Sequence, residues 1–321
     1  MSAPSQNAGF LKQATITAVF IAVLWGVDQL LQIGLNPYYV RVVVNCGIAA
    51  ILALSLNLIN GCAGQFSLGH AGFMAVGAYV SATLTTVYPA GEFFQSPLGV
   101  GVAITIGGIV AALAGYLVGL PSLRLKGDYL AIVTLGFSEM IRVCFLNIPA
   151  VGGARGMNGI PVHSSFFWVY LWAALAWVFF WRLLRSGRGR AILALRDDET
   201  AAEAMGVEVS HFKVVSFSLS SAFAGIAGGL FAHYQGFIDP QSFDFSRSVL
   251  VVIMVVLGGM GSLSGAVLGA VVVTVLPESL RVFESYRLII FPLVLILMML
   301  LRPKGILGHR EIWEFFPRRA K

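Results

Sequence analysis

A polytopic all-α membrane protein, a helical bundle of about ten spans, is the fold this chain predicts, on three observations. Of its 321 residues 58% are hydrophobic and 11% charged, against roughly 45–50% and about 25% in soluble domains. That leaves too little polar surface to face water. Most of the chain divides into apolar stretches near the ~20 residues a helix needs to cross a bilayer. Helix is the form that satisfies each backbone N–H and C=O internally where hydrocarbon offers no partner. The basic residues stand at the ends of these stretches, so the net charge of +6 is a topology signal and not a nucleic-acid footprint.

The expected spans are 13–33, 38–60, 68–88, 97–120, 129–148, 165–185, 214–234, 248–259, 263–276 and 287–301. The first lacks a basic n-region and small-residue cleavage site before it, so it is expected to stay uncleaved. The segment 248–276 is interrupted by Gly258, Gly259, Gly261, Ser262, Ser264 and Gly265, and reads as one long helix or two short ones. Charge bias favours two. With both termini inside, the inner side collects Lys12, Arg124, Lys126, the Arg182–Lys213 basic residues and the tail from Arg302 to Lys321, while Arg155, Arg247, Arg281 and Arg287 fall outside. One span fewer would move the basic tail out and lose the asymmetry. The 36 glycines are packing surface first, since small residues let membrane helices approach closely. Cys46, Cys62 and Cys144 have no metal-ligand spacing and read as buried packing residues.

Two stretches place a Gly/Ser-rich break inside apolar sequence, and the chain looks internally repeated. One carries Asn57, Asn60, Gly61, Gly64, Gln65, Ser67, Gly69 and His70; the other carries Gly258, Gly259, Gly261 and Ser262. Interrupted helices in corresponding halves point to a transport site, because backbone groups freed at the break can meet a polar solute. These residues are therefore the candidate substrate path. Glycine-mediated helix crossing is the competing explanation.

Asp28, Arg41, Glu139 and Arg142 fall within spans, where an unpaired charge costs a few kcal/mol or more. Glu139 and Arg142 are three apart on one helix face, which predicts a structural ion pair. Asp28 and Arg41 lie near span ends and read as topological. The longest inner hydrophilic stretch, 186–213, opens with Arg188 and Arg190 and, after Arg196, turns acidic at Asp197, Asp198 and Glu199. It continues through Ala201, Ala202, Glu203 and Met205 to Gly206. Asp197 or Asp198 can cap a short helix that Gly206 ends. The result is a compact cytoplasmic knob, suited to a partner's groove, within a single transmembrane domain covering 1–321.

Catalysis has little to stand on. The loop Val151–Gly159 is glycine-rich but lacks the Gly-Lys-[Ser/Thr] of a phosphate cradle. His70, His163, His211, His233 and His309 are scattered, without HExxH, and no Gly-x-Ser-x-Gly elbow occurs. No metal site, bound cofactor or enzyme activity is expected.

At these residues the chain resembles the LivM-type permease subunits of bacterial ABC importers for branched-chain amino acids, from about residue 38 to 305. The carrying motifs are Asn57 to Phe73, Gly127-Asp128-Tyr129 through Thr134 and Gly136, Gly152-Gly153 with Gly156 to Gly159, the Arg188–Gly206 loop, and Gly258-Gly259-Met260-Gly261. The resemblance implies import of branched-chain or related hydrophobic amino acids across the bacterial inner membrane. It also implies four kinds of surroundings: a second, LivH-like permease, two cytoplasmic LivG/LivF-like ATPases that bind the ATP, an external solute-binding protein, and the lipid bilayer. The knob is similar to the importers' coupling segment, Glu-Ala-Ala, three residues, then Gly. Ala201, Ala202 and Gly206 keep that spacing, with Thr200 at the Glu position and Glu199 one earlier. Two other readings stay open: an ion-coupled secondary transporter using Glu139, and a membrane-embedded transferase, which would need clustered His, Asp or Ser.

Overall fold

The computed structural model describes residues 22–31, 34, 36–87, 92–122, 127–281, 286–302, 304–308 and 310–314. The expected first span is thus described over 22–31. Both termini, with Lys12, Arg124, Lys126, His309, Arg318, Arg319 and Lys321, lie outside the described residues.

The helices in chain order are α1 (Ala22–Leu31), α2 (Pro37–Asn57), α3 (His70–Thr86), α4 (Pro97–Ser122), α5 (Asp128–Asn147), α6 (Phe166–Arg185), α7 (Gly187–Asp197), α8 (Glu199–Ala204), α9 (Val209–Gln235), α10 (Phe245–Gly258), α11 (Leu263–Ser279) and α12 (Arg287–Leu301). This is an all-α polytopic membrane protein. Among the described residues five helices, α2 with its continuation to Cys62, α4, α5, α6 and α9, are long and apolar enough to cross a membrane. Their starts follow local chemistry. Pro37 opens α2, whose cap Asn36 accepts from Tyr38 N at 3.0 Å, and Asp244 caps α10 by accepting from Arg247 N at 3.0 Å; a side-chain oxygen at each cap takes an N–H that the helix leaves free.

The segment 248–276 is two helices. Gly259 at φ +118° and Gly261 at φ +89° turn the chain back within 259–262, a conformation that a Cβ disfavours. Ser262 then caps α11, accepting from Gly265 N at 3.0 Å. The pair packs antiparallel through glycine: a Cβ on Gly258 would sit 2.0 Å from the Gly265 oxygen, and one on Gly269 1.9 Å from the Met254 oxygen.

Successive long helices reverse direction, so the C-terminal ends of α2 and α10, the starts of α9 and α11, and helices α7 and α8 gather at one end of the bundle. The interior is built on the same small-residue contacts. Gly77 of α3 meets Gly225 of α9, where a Cβ would lie 2.1 Å from the facing carbonyl oxygen, and Gly228 meets Met74 at 1.9 Å. At the opposite end, the Gly-rich loop after α5 forms a two-residue strand β1 (Met157–Asn158) antiparallel to β2 (Phe237–Ile238), with Met157 opposite Ile238. Gly152, Gly153, Gly156 and Gly159 in that loop all take positive φ. Helix α5 lies at the rim with Tyr129, Ile132 and Met140 exposed, and carries Arg142 Nε donating to Glu139 Oε2 at 2.7 Å. Cys46 and Cys62 are buried, but Cys144 on α5 is exposed, because α5 turns that side outward. Asp28 is buried against the bundle, beside His163 and Ser164 of the loop that precedes α6.

Candidate functional site

At Asn57 helix α2 widens into a π-helical turn, Leu58–Cys62, and residues 63–69 leave the helix altogether. A π turn accommodates an extra residue and recurs at functional positions. Asn60 holds the unwound stretch as a neighbouring strand would: its Oδ1 accepts from Ser67 N at 3.1 Å and its Nδ2 donates to Ser67 O at 3.4 Å. Ser67 Oγ accepts from Gly69 N at 3.4 Å, and Leu68 N donates to Thr134 Oγ1 at 3.1 Å. Gly69 has no room for a side chain, since a Cβ would stand 2.3 Å from the Thr134 oxygen. The stretch climbs from α7 into the bundle, so α3 starts inside it. There the buried ring of His70 has Nε2 2.8 Å from Ser55 Oγ, and Ala71 N donates to Ser248 Oγ at 3.1 Å.

The second break lies directly against the first. Asn57 Oδ1 accepts from Gly261 N at 2.8 Å and its Nδ2 donates to Ser262 O at 3.2 Å. One buried side chain thereby satisfies both backbone groups exposed by the turn. Gly61 makes the approach possible, because a Cβ there would lie 2.1 Å from Asn57 Oδ1 and 2.3 Å from the Gly261 nitrogen.

The segment after α12 closes the same joint. Ile306 N donates to Leu257 O at 2.8 Å and Leu307 N to Gly258 O at 3.1 Å, filling the carbonyls at the end of α10. Glu311 takes Leu263 N at 2.8 Å and Ser264 N at 3.0 Å, and also the Ser264 hydroxyl. A carboxylate at a helix N-terminus satisfies free donors and meets the positive end of the dipole. Glu311→Ala is expected to cost about 1–3 kcal/mol and to raise hydrogen exchange across 304–314, read by mass spectrometry.

Helix α7 rises from Ser186, whose Oγ accepts from Gly189 N at 3.1 Å, and buries Ile192 and Leu195. Its last turn meets the first break: Arg196 Nη1 reaches Gly61 O at 3.5 Å, and a Cβ on Gly64 would lie 3.0 Å from Arg196 Cα. Asp197 pairs with Arg196 at 3.0 Å, so the cap of α8 is Asp198, whose Oδ1 accepts from Thr200 N at 2.8 Å and Ala201 N at 3.1 Å. The helix ends when Gly206, φ +84°, donates to Glu203 O at 2.9 Å and Val207 N to Ala202 O at 3.0 Å, the paired bonds of a glycine stop. Ala202 packs inward; Ala201, Glu203 and Met205 face out, Met205 at 85% exposure.

Residues 38–301 match the family of branched-chain amino acid transport system permease components. The chain belongs to that family. The permease is 41% identical to the high-affinity branched-chain amino acid transport system permease protein LivM of Salmonella typhimurium, over 80% of this chain and 67% of that one. It is 40% identical to LivM of Escherichia coli K12 over the same shares, and 30% identical over 48% of its length to the permease protein LivH of that organism. No solved structure matches.

Within the permease, Asn57, Gly61, Gly261 and Ser262 form one bonded joint, with Gly258 and Gly259 held beside it by the tail. Asn60, Ser67 and Gly69 form a second cluster above it. Gln65 is buried, its Oε1 without a hydrogen-bond partner among the described residues, beside a 400 Å³ cavity that it shares with Arg196, Asp197, Asp198 and Glu199. Glu139 and Arg142 stand apart from all of these. Glu199 does not face outward: it pairs with Lys213, which is 5% exposed. Glu199→Gln is expected to lower the melting temperature, by about 1–3 kcal/mol in stability because Glu199 itself is partly solvated. Replacing both partners with methionine should restore most of it.

Proposed function

We propose that the chain is the permease subunit of an ATP-driven ABC importer carrying branched-chain or related hydrophobic amino acids into the cell. It works beside a second, LivH-like permease, with two LivG/LivF-like ATPases that bind the ATP and an external binding protein that delivers the solute. The membrane is the bacterial inner membrane, with the α7–α8 end and both termini in the cytoplasm. A single observation carries this reading: an exposed helical knob is tied by continuous contacts to both helix breaks. Force on α8 passes through Glu199 to Lys213 at the start of α9, and through Arg196 to the Gly61 carbonyl. From there Asn57 leads to the turn between α10 and α11.

The break residues Asn57, Asn60, Gly61, Gln65, Ser67, Gly69, His70, Gly258, Gly259, Gly261 and Ser262 are buried or half-buried and interlocked, while Gly64 is exposed. They act as the closed inner gate of the path, which opens when the ATPases move the knob. Affinity purification from the native cell, followed by uptake in proteoliposomes, tests this. Two ATPases and a second permease should co-purify, and radiolabelled leucine uptake should require ATP and the binding protein. A single species whose uptake follows a proton or sodium gradient would replace the importer with a secondary transporter.

A further inference from the structure

Arg247 occupies an unusual place. It lies in the first turn of α10, and that helix begins inside the bundle, as its fully buried neighbours Phe243 and Ser248 show. With Asn45, Ile48, Leu250, Thr274 and Glu278 it lines a cavity of about 550 Å³. Residues 45–52 of α2, which form one wall, are the middle of the Pro37–Cys62 span. Gln235, the last residue of α9, and Pro277 and Glu278, in the last turn of α11, line the cavity too, so the guanidinium stands in the half of the bundle where α9 and α11 end, within the spans, where an arginine is costly and marks function. It lies over the Phe231 ring at 5.1 Å; among the described residues no carboxylate forms a salt bridge with it, and Asp244, the cap of its own helix, is the carboxylate that acts on it without one. Glu278, on the neighbouring helix α11, accepts from the Tyr38 hydroxyl with one oxygen and has Arg281 as an electrostatic neighbour.

A cavity that offers a cation, an anion and aliphatic walls complements a zwitterion with an aliphatic side chain, and its volume falls among small-molecule sites of about 300–1,000 Å³. Guanidinium suits carboxylate because its donors form a planar fork. We propose that this cavity is an amino-acid binding site, with Arg247 taking the solute carboxylate, Glu278 its ammonium, and Ile48 and Leu250 its side chain. The site rests on the importer reading above and adds a solute-contacting station within this subunit.

The test uses the assembled importer, purified with its partner permease and ATPases but without the binding protein, and titrated with radiolabelled leucine. Arg247→Gln and Glu278→Gln should each weaken leucine binding about tenfold or more, and Arg247→Lys, which keeps the charge but loses the planar fork, should recover only part of it. Isoamylamine, which lacks the carboxylate, should be insensitive to Arg247→Gln and lost in Glu278→Gln; 4-methylpentanoate should show the reverse. Leu250→Trp, which fills the cavity while leaving both charges, should abolish binding and covers a neutral variant that fails to assemble. If wild type transports leucine but binding and uptake are unchanged in all variants, the site is overturned and the importer stands. An anionic lipid lost from Arg247→Gln with leucine binding intact would also overturn it. A complete wild-type system that transports no branched-chain amino acid would overturn both readings.

Discussion

Gly61→Ala is expected to abolish uptake in the assembled system and to destabilise the permease by about 3 kcal/mol or more. The added methyl would stand 2.1 Å from Asn57 Oδ1 and 2.3 Å from the Gly261 nitrogen, and the second of these is backbone that cannot rotate away. Relief requires the two breaks to part. That strands the Gly261 N–H and the Ser262 carbonyl, which otherwise bond to Asn57, at about 1–3 kcal/mol for each buried group left unmade. Asn57→Leu reaches the same result from the other side, by removing both bonds without adding a clash. Gly136→Ala is the control: nothing lies within 4 Å of its Cβ, and alanine is the better helix former by about 1 kcal/mol, so stability should hold or rise. Thermal melting and uptake measured on the three variants separate a specific joint from a general intolerance of side chains. Gly61→Ala behaving like Gly136→Ala would show that the breaks do not need to touch.

What the sequence could tell about this joint divides along the range of the interaction. The spans were legible because the bilayer imposes a length and a composition on each one separately, and their predicted bounds differ from the helices mainly at the ends. Both breaks were legible too, since glycine and serine inside apolar runs leave a local mark. Their contact was not. Asn57 and Gly261 are 204 positions apart, and nothing in either neighbourhood records the other. The same holds for Glu311, whose partners at α11 are 47 and 48 positions away and whose own segment has no periodicity.

Helix α7 was hidden for a different reason. Its charges, Arg188, Arg190 and Arg196, made the stretch read as hydrophilic loop, although Ser186 as cap with Ile192 and Leu195 three apart was available as a short amphipathic pattern. The pairing of Glu199 was not legible either, although the coupling pattern places a glutamate near there. Its partner Lys213 lies beyond the glycine stop and on the next helix, so only the fold brings the two charges together.

Met205→Asp is expected to uncouple the permease with little change in its own stability. Met205 is 85% exposed on a knob outside the apolar spans, next to Ala201 and Ala204, so the helix presents a small apolar face around one flexible thioether. Such a side chain adapts to a groove on another protein. Nothing within the permease depends on it: the helix is capped by Asp198 and stopped by Gly206, and the inward face is Ala202. Aspartate in its place would carry a charge into an apolar contact, a change that costs several kcal/mol at a buried interface centre and almost nothing at a solvated surface. The expected result is an unchanged melting temperature for the isolated permease, loss of ATPase co-purification or a drop of about a hundredfold in ATP-driven uptake, and partial rescue by Met205→Leu. Gly206→Ala should behave differently. No atom lies within 4 Å of its Cβ, so its effect within the chain is limited to the roughly 1–2 kcal/mol of left-handed strain, and any larger loss of uptake would have to come from a partner packed against that glycine. Unimpaired ATPase attachment and uptake in Met205→Asp would move the docking surface off this helix altogether.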